Sequence, residues 1–182
     1  MKVIVLQKFL RSKPRTLPIS GIVFHSTDGA SATSSIAWLR LTGNSYNYII
    51  ERDGTIYKCV PLDRTANHAG SSYAWHEEAK GISRAQSTLT WKFKAGTCIN
   101  GYTVGIAFAN LQSKGERITQ AQLDAAEWLT GQILGQHPLL SDLTTHYAVS
   151  PRRKTDPSMM SVTWLARLAK KYGLKVWGLK VA

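Results

Sequence analysis

An imidazole, an ammonium and a carboxylate fall within eleven positions of one another in the stretch His146-Tyr-Ala-Val-Ser-Pro-Arg-Arg-Lys154-Thr-Asp156-Pro-Ser. Pro151 and Pro157 restrict the backbone between and after them, so the stretch reads as a stiff loop able to bring a histidine and an aspartate together. Imidazole nitrogen and carboxylate oxygen are both zinc ligands, and a catalytic zinc takes three protein ligands with one position left open for water. The best candidate for the third is His25, at the end of the apolar run Gly21-Ile-Val-Phe, where a buried strand would deliver a side chain to its tip. The expectation is that His25, His146 and Asp156 meet around one metal ion. Such an ion lowers the pKa of water towards ~7 and polarises a carbonyl, which is hydrolytic chemistry. Taken singly, a histidine at a strand end is more often an ordinary partly buried residue.

Two further side chains could serve the same chemistry. Lys154 lies two positions before Asp156, and in an extended loop both side chains leave on one side. There its ammonium could stabilise an oxyanion, although within an Arg-Arg-Lys run the plainer reading is a solvated lysine. Tyr46 opens an expected strand, where its phenol could hydrogen-bond to the reacting water or the tetrahedral intermediate; most such tyrosines are half-buried packing residues.

The elements that must position these groups alternate between strand and helix. Strands are expected at Val3–Leu6, Ile22–His25, Val104–Ala109 and Asp142–Thr145. Two β-rich runs around Asp53-Gly54 give a hairpin. One helix is expected from a cap at Ser34 through Ile36, Trp38 and Leu39 to a stop at Gly43. A second starts from the capping box Thr119-Gln-Ala-Gln122 and ends near Gly135. A third starts near Ser158 or Ser161, packs through Val162, Leu165 and Leu168, and stops at Gly173. From about Asn67 to Asn100, with Trp75, His76, Trp91 and Lys92, no period is sustained, and the section reads as a surface insertion that could line a groove. The class is α/β, with a mixed central sheet flanked by helices.

At 182 residues the chain suits one domain, 1–182, with a basic lead-in at 1–16 and a basic, apolar C-terminal tail at 173–182. Lysine and arginine number 23 against 11 acidic residues, a net charge of +12, which implies an anionic partner or surface. Nucleic acid, an anionic membrane and cell-wall polymer all qualify by charge, but no nucleic-acid motif accompanies the basic residues. Cys59 and Cys98 are a poor disulfide framework and read as buried or free thiols. The apolar run near Met1 is too short for a secretory signal, and no segment approaches a transmembrane helix in length. The chain is therefore expected to be made in the cytoplasm.

Five blocks carry a family resemblance: Gly21-Ile-Val-Phe-His25-Ser-Thr, Ser45-Tyr46-Asn-Tyr-Ile-Ile-Glu-Arg-Asp-Gly-Thr-Ile, Asn67-His68-Ala-Gly, Asn100-Gly-Tyr-Thr-Val-Gly-Ile and His146 to Pro157. In this order they resemble the zinc-dependent N-acetylmuramoyl-L-alanine amidases, which share a fold with the peptidoglycan recognition proteins. The resemblance spans about residues 15–172. It implies Zn2+ on His25, His146 and Asp156, transition-state stabilisation by Lys154, and a substrate groove faced by His68, with Asn67 and Asn100 of the neighbouring blocks as substrate-binding residues. Many phage members carry cysteine where this chain has Asp156. Ala107 stands where many bacterial members have a catalytic glutamate; the resemblance then shifts proton handling to Tyr46, as in small phage amidases.

These readings favour a peptidoglycan amidase, most like single-domain phage-type endolysins, that is monomeric and reaches the wall once the inner membrane is permeabilised. The tail could contact an anionic envelope or membrane surface. The alternatives are a non-catalytic peptidoglycan-binding module and a cytoplasmic amidase for recycled muropeptides.

Overall fold

The computed structural model describes residues 1–70, 99–150 and 154–177. Trp75, His76, Trp91, Lys92, Cys98, Pro151, the Arg152-Arg153 pair and the tail beyond Trp177 lie outside the described residues.

Seven strands form the central sheet: β1 (Val3–Val5), β3 (Gly21–Ser26), β4 (Tyr48–Ile50), β5 (Ile56–Lys58), β7 (Thr103–Phe108), β8 (Asp142–Thr145) and β9 (Lys175–Val176). Their order across the sheet is β1-β5-β4-β7-β3-β8-β9. Only β4 and β5 pair antiparallel, around the expected Asp53-Gly54 turn. The other neighbours are parallel, so the sheet is mixed. A separate antiparallel ribbon joins β2 (Ser12–Pro14) to β6 (Arg64–Ala66). The helices are α1 (Ala32–Thr42), α2 (Gln120–Gln136), the single turn α3 (His146–Val149) and α4 (Val162–Tyr172).

Strand periodicity divides the core between two faces. Ile22 and Phe24 of β3, with Val104, Ile106 and Phe108 of β7, pack against Leu129 and Ile133 of α2 and Trp164, Leu165 and Leu168 of α4. On the other face Ile49, Ala107 and Ala109 pack against Ile36 and Leu39 of α1. With both faces covered, β3 and β7 are buried at every position and read as continuous apolar runs. Among the described residues no helix is long and apolar enough to cross a membrane.

Several local expectations shift. The cap of α1 is Ser31, and Ser34 is its partner in a capping box, each side chain accepting from the other's backbone N–H. Tyr46 precedes β4 rather than opening it, because Asn47 interrupts the ladder: its carbonyl accepts from both Cys59 and Val60, and its side-chain oxygen accepts from Gly105. The 1–16 lead-in contributes two strands and Arg15, whose guanidinium donates to the carbonyls of Leu62, Gly101, Arg64 and Thr103. Burial of that guanidinium away from water pushes its pKa down to about 10. The 173–182 tail likewise begins as structure: Lys175–Val176 extends the sheet beside β8, and Trp177 is buried with its indole N–H donating to Asp142. Cys59 is a buried free thiol, pushed up to about 12 by burial.

Gly54 has both a left-handed backbone and no room for a side chain. Its φ is 83°, and an added Cβ would stand 2.8 Å from the Ala121 carbonyl of α2. Gly54→Ala is expected to cost about 1–3 kcal/mol, read as a lower urea midpoint; an unchanged midpoint would mean that the turn and α2 relax apart freely.

Candidate metal centre and cleft

His25 is the fifth residue of β3 and is fully buried, with Ala107 of β7 beside it in the ladder. On its other side β8 runs parallel, and the last pair of that register sets Phe24 against Thr145. His146 is therefore the next residue out, at the carboxyl edge of the sheet beside His25. Thr145 caps the short turn α3 by accepting from Ala148. Asp156 returns because its carbonyl accepts from Tyr147, while Gln112 pins the flanks by donating to the Thr155 hydroxyl and accepting from Ser158. His146 thus sits on a helical turn rather than in the expected loop, and it is the turn that aims its ring inward.

The three expected ligands converge. The Nδ1 of His146 lies 3.1 Å and 3.2 Å from the two carboxylate oxygens of Asp156, and the Nδ1 of His25 lies 3.4 Å from Oδ2. One donor atom from each residue falls within 4.8 Å of the others. Ligands about 2.0–2.2 Å from a tetrahedral zinc stand roughly 3.4 Å apart, so only small shifts would seat an ion. The His25 Nδ1 is buried and makes no hydrogen bond: it is near enough to Oδ2 to feel its charge but out of line for donating a proton. The outer nitrogens are engaged, His146 Nε2 with the Ala69 carbonyl at 3.3 Å and His25 Nε2 with His68 Nδ1 at 3.0 Å. An orphaned inner nitrogen backed by a bonded outer one is the arrangement a metal-ligating histidine needs.

The electrostatics agree. Burial, reinforced by His146, lowers His25 from 6.5 to about 4, and burial holds His68 well below the ordinary histidine range. For Asp156 burial works upward, but the hydrogen bond with His146 and the nearness of both imidazoles outweigh it and hold the carboxyl well below the usual carboxylate range. An ionised carboxylate beside a neutral His25 leaves a partly buried negative charge that a divalent cation would offset.

The cluster lies beside a cleft of about 710 Å³ lined by Tyr46, Asn67, His68, His146, Lys154 and Trp38, among others. The Tyr46 ring is centred 4.9 Å from that of His25, and burial, with Asp156, raises its pKa, so the phenol keeps its proton. Asn67 reaches the cleft while its side-chain amide donates to the Gly43 carbonyl. Asn100 is buried and accepts from the Ala69 N–H at 2.8 Å, so it holds the segment whose carbonyl meets His146 and does not line this cleft. Sequence reasoning missed Thr103, bonded to His68 Nε2 at 3.1 Å, the Ala69 carbonyl, and the exposed indole of Trp38. A partner 35 residues away leaves no local signal.

Fold and cluster together define a small α/β domain with a histidine and carboxylate centre of the kind that holds a divalent cation. Residues 15–159 match the family described as N-acetylmuramoyl-L-alanine amidase, and the chain belongs to that family. It is similar to the 1,6-anhydro-N-acetylmuramyl-L-alanine amidase AmpD of Enterobacter cloacae, 29% identical over 126 residues, or 68% of this chain and 54% of that protein. The chain thus spans about half the length of the curated relatives it matches. Its fold is similar to the N-acetylmuramoyl-L-alanine amidase LysC from Clostridium intestinale URNW (TM-score 0.66, 20% identity, 96% of this chain and 99% of that one). It is also similar to Drosophila peptidoglycan recognition protein SA (TM-score 0.55, 18% identity, 86% and 85%).

Stability of the metal-free protein should depend on pH in a set direction. With His25 at about 4 when folded against 6.5 when free, the unfolded chain binds a proton below pH 6.5 that the folded site refuses. Stability is retained above 6.5 and falls as the pH drops to about 4, by on the order of 3 kcal/mol from His25; His68 acts in the same sense. Thermal unfolding of chelator-treated protein across this range checks it, and a flat Tm would mean that His25 titrates as a free imidazole.

Proposed function

We propose that this chain is a zinc-dependent hydrolase that cleaves the amide between the lactyl group of N-acetylmuramic acid and the L-alanine of peptidoglycan, acting as a phage or prophage endolysin. The observation that carries the reading is the convergence of His25, His146 and Asp156 within 4.8 Å beside a cleft that Lys154 and Tyr46 also line. His25 and His146 would hold the zinc through Nδ1 and Asp156 through its carboxylate. When bound, zinc supplies an activated water near neutral pH and draws electrons from the scissile carbonyl. Lys154 would place its ammonium where negative charge develops on the carbonyl oxygen. Tyr46, kept protonated, would donate a hydrogen bond to the same oxygen, with Ala107 leaving that strand position without an acid or base.

The endolysin reading is supported by the net charge of +12, suited to an anionic wall. We place such an enzyme in the cytoplasm when made, from where it would meet the wall after the inner membrane is permeabilised. The basic, apolar 173–182 tail, together with the exposed Arg167 and Lys170 of α4, would supply the envelope contact. A second reading, an amidase for 1,6-anhydro muropeptides, is favoured by Asp156 and by the similarity to the Enterobacter cloacae protein. A non-catalytic binding module fits less well, because all the ligands are present.

Three measurements test these assignments. Purified protein should contain about one zinc and release stem peptides from sacculi faster than from small soluble anhydro-muropeptides; the reverse preference would establish the recycling reading. His25→Ala, His146→Ala and Asp156→Ala should each abolish metal binding and cleavage. Lys154→Ala and Tyr46→Phe should keep the metal but lower kcat by about 10²–10³ and about 10–100-fold, and a fully active Tyr46→Phe would remove the phenol from the mechanism.

A further inference from the structure

His68 borders the cleft, yet neither of its ring nitrogens is free. Nδ1 meets His25 Nε2 at 3.0 Å and Nε2 meets the Thr103 hydroxyl at 3.1 Å. The Thr103 hydroxyl in turn lies 2.8 Å from the Ile99 carbonyl. All three side chains are at least nine-tenths buried, and water has little part in the chain.

The direction of the chain follows from its far end. A carbonyl can only accept, and two oxygens 2.8 Å apart repel unless a proton lies between them, so the Thr103 hydroxyl gives its single proton to Ile99. That hydroxyl then accepts from His68 Nε2–H. His68 Nδ1 is left as a lone pair, which accepts from His25 Nε2–H, and His25 Nδ1 is left bare. The opposite order would put a proton on His25 Nδ1, where the geometry gives it no acceptor. The niche for the relay ring is built into β7: a Cβ on Gly105 would come within 2.6 Å of His68 Cγ.

We propose that His68 and Thr103 are positioning residues that fix the tautomer of His25, holding its Nδ1 unprotonated for a metal ion, and that His68 does not contact substrate through its ring nitrogens. This rests on the reading of His25 as a metal ligand. It also says why Thr103 must carry a hydroxyl: without it, the two rings can reverse their shared proton, and His25 Nδ1 then carries a hydrogen where an ion would bind.

The test uses the full chain with isotope-labelled histidine and zinc as the probe. In metal-free wild-type protein, NMR of the imidazole nitrogens should show His25 and His68 as Nε2–H tautomers. Thr103→Val should move His25 towards Nδ1–H and weaken zinc binding, measured by chelator competition, by about 10–100-fold, while Thr103→Ser restores both. His68→Ala should lose affinity to a similar extent, and His68→Asn, whose side-chain oxygen can stand in for Nδ1, should recover part of it. A proton on His25 Nδ1 in the wild type, or unchanged tautomer and affinity in a folded Thr103→Val, would overturn the proposal. Because the tautomer is read without metal or substrate, failure to cleave peptidoglycan would count against the proposed function and leave this result standing.

Discussion

A partly buried carboxylate beside an uncharged, fully buried imidazole is the constraint on which the rest of this structure depends. Asp156 is held as a carboxylate, His25 is neutral, and the His25 nitrogen that faces the carboxylate makes no hydrogen bond. Left alone, that arrangement stores electrostatic cost, since a buried charge is tolerated only when paired or ligating. The surrounding fold keeps it from collapsing: β3 and β8 are locked in parallel register, and the return of Asp156 is tied to Tyr147 by the backbone. A site whose donors are pre-placed, with one buried nitrogen left without a partner, is one suited to a divalent cation.

The support for that site comes from distant parts of the chain. Gln112 bridges to both flanks of Asp156, and its neighbour Ser113 donates through its N–H and hydroxyl to Asp28, which lines the cleft. Arg52 forks onto Glu116 and also donates to the Ala30 carbonyl, while Glu51 accepts from the first N–H of α1. The hairpin, the start of α1 and the 110–116 turn are thereby joined around one side of the cleft. Arg15 does the equivalent on the other side, where its guanidinium gathers carbonyls from β6 and β7 and their flanks. With no carboxylate partner among the described residues, it serves as a geometric clamp.

Much of the scaffold was legible in advance because its signals are local. Asp53-Gly54 marked the hairpin, Thr119 and Gln122 marked the start of α2, and Gly43 and Gly173 marked helix ends that adopt the left-handed conformation glycine favours. The short strands β2, β6 and β9 were not legible. Two or three residues carry no period, and their existence depends on partners such as Asp142 and Leu143 of β8, which receive β9 from more than thirty positions away. Tyr46 fell outside its expected strand for a related reason, since Asn47 answers to Cys59, Val60 and Gly105 rather than to its neighbours in sequence.

By itself the sequence determined the chemical inventory: two histidines and an aspartate fit for a cation, a lysine and a tyrosine fit for an oxyanion, and an excess of positive charge. It also set the class of fold, because alternating apolar runs and capped helices have few ways to bury their faces. Only the tertiary structure decided that the inner Nδ1 atoms face Asp156, that His68 is spent on His25 and Thr103, and that Asn100 serves the backbone of Ala69. Those assignments depend on which atom of a side chain meets which partner across tens of residues. Residue type and spacing cannot encode that; it is settled when strands of fixed register bring the rings into contact.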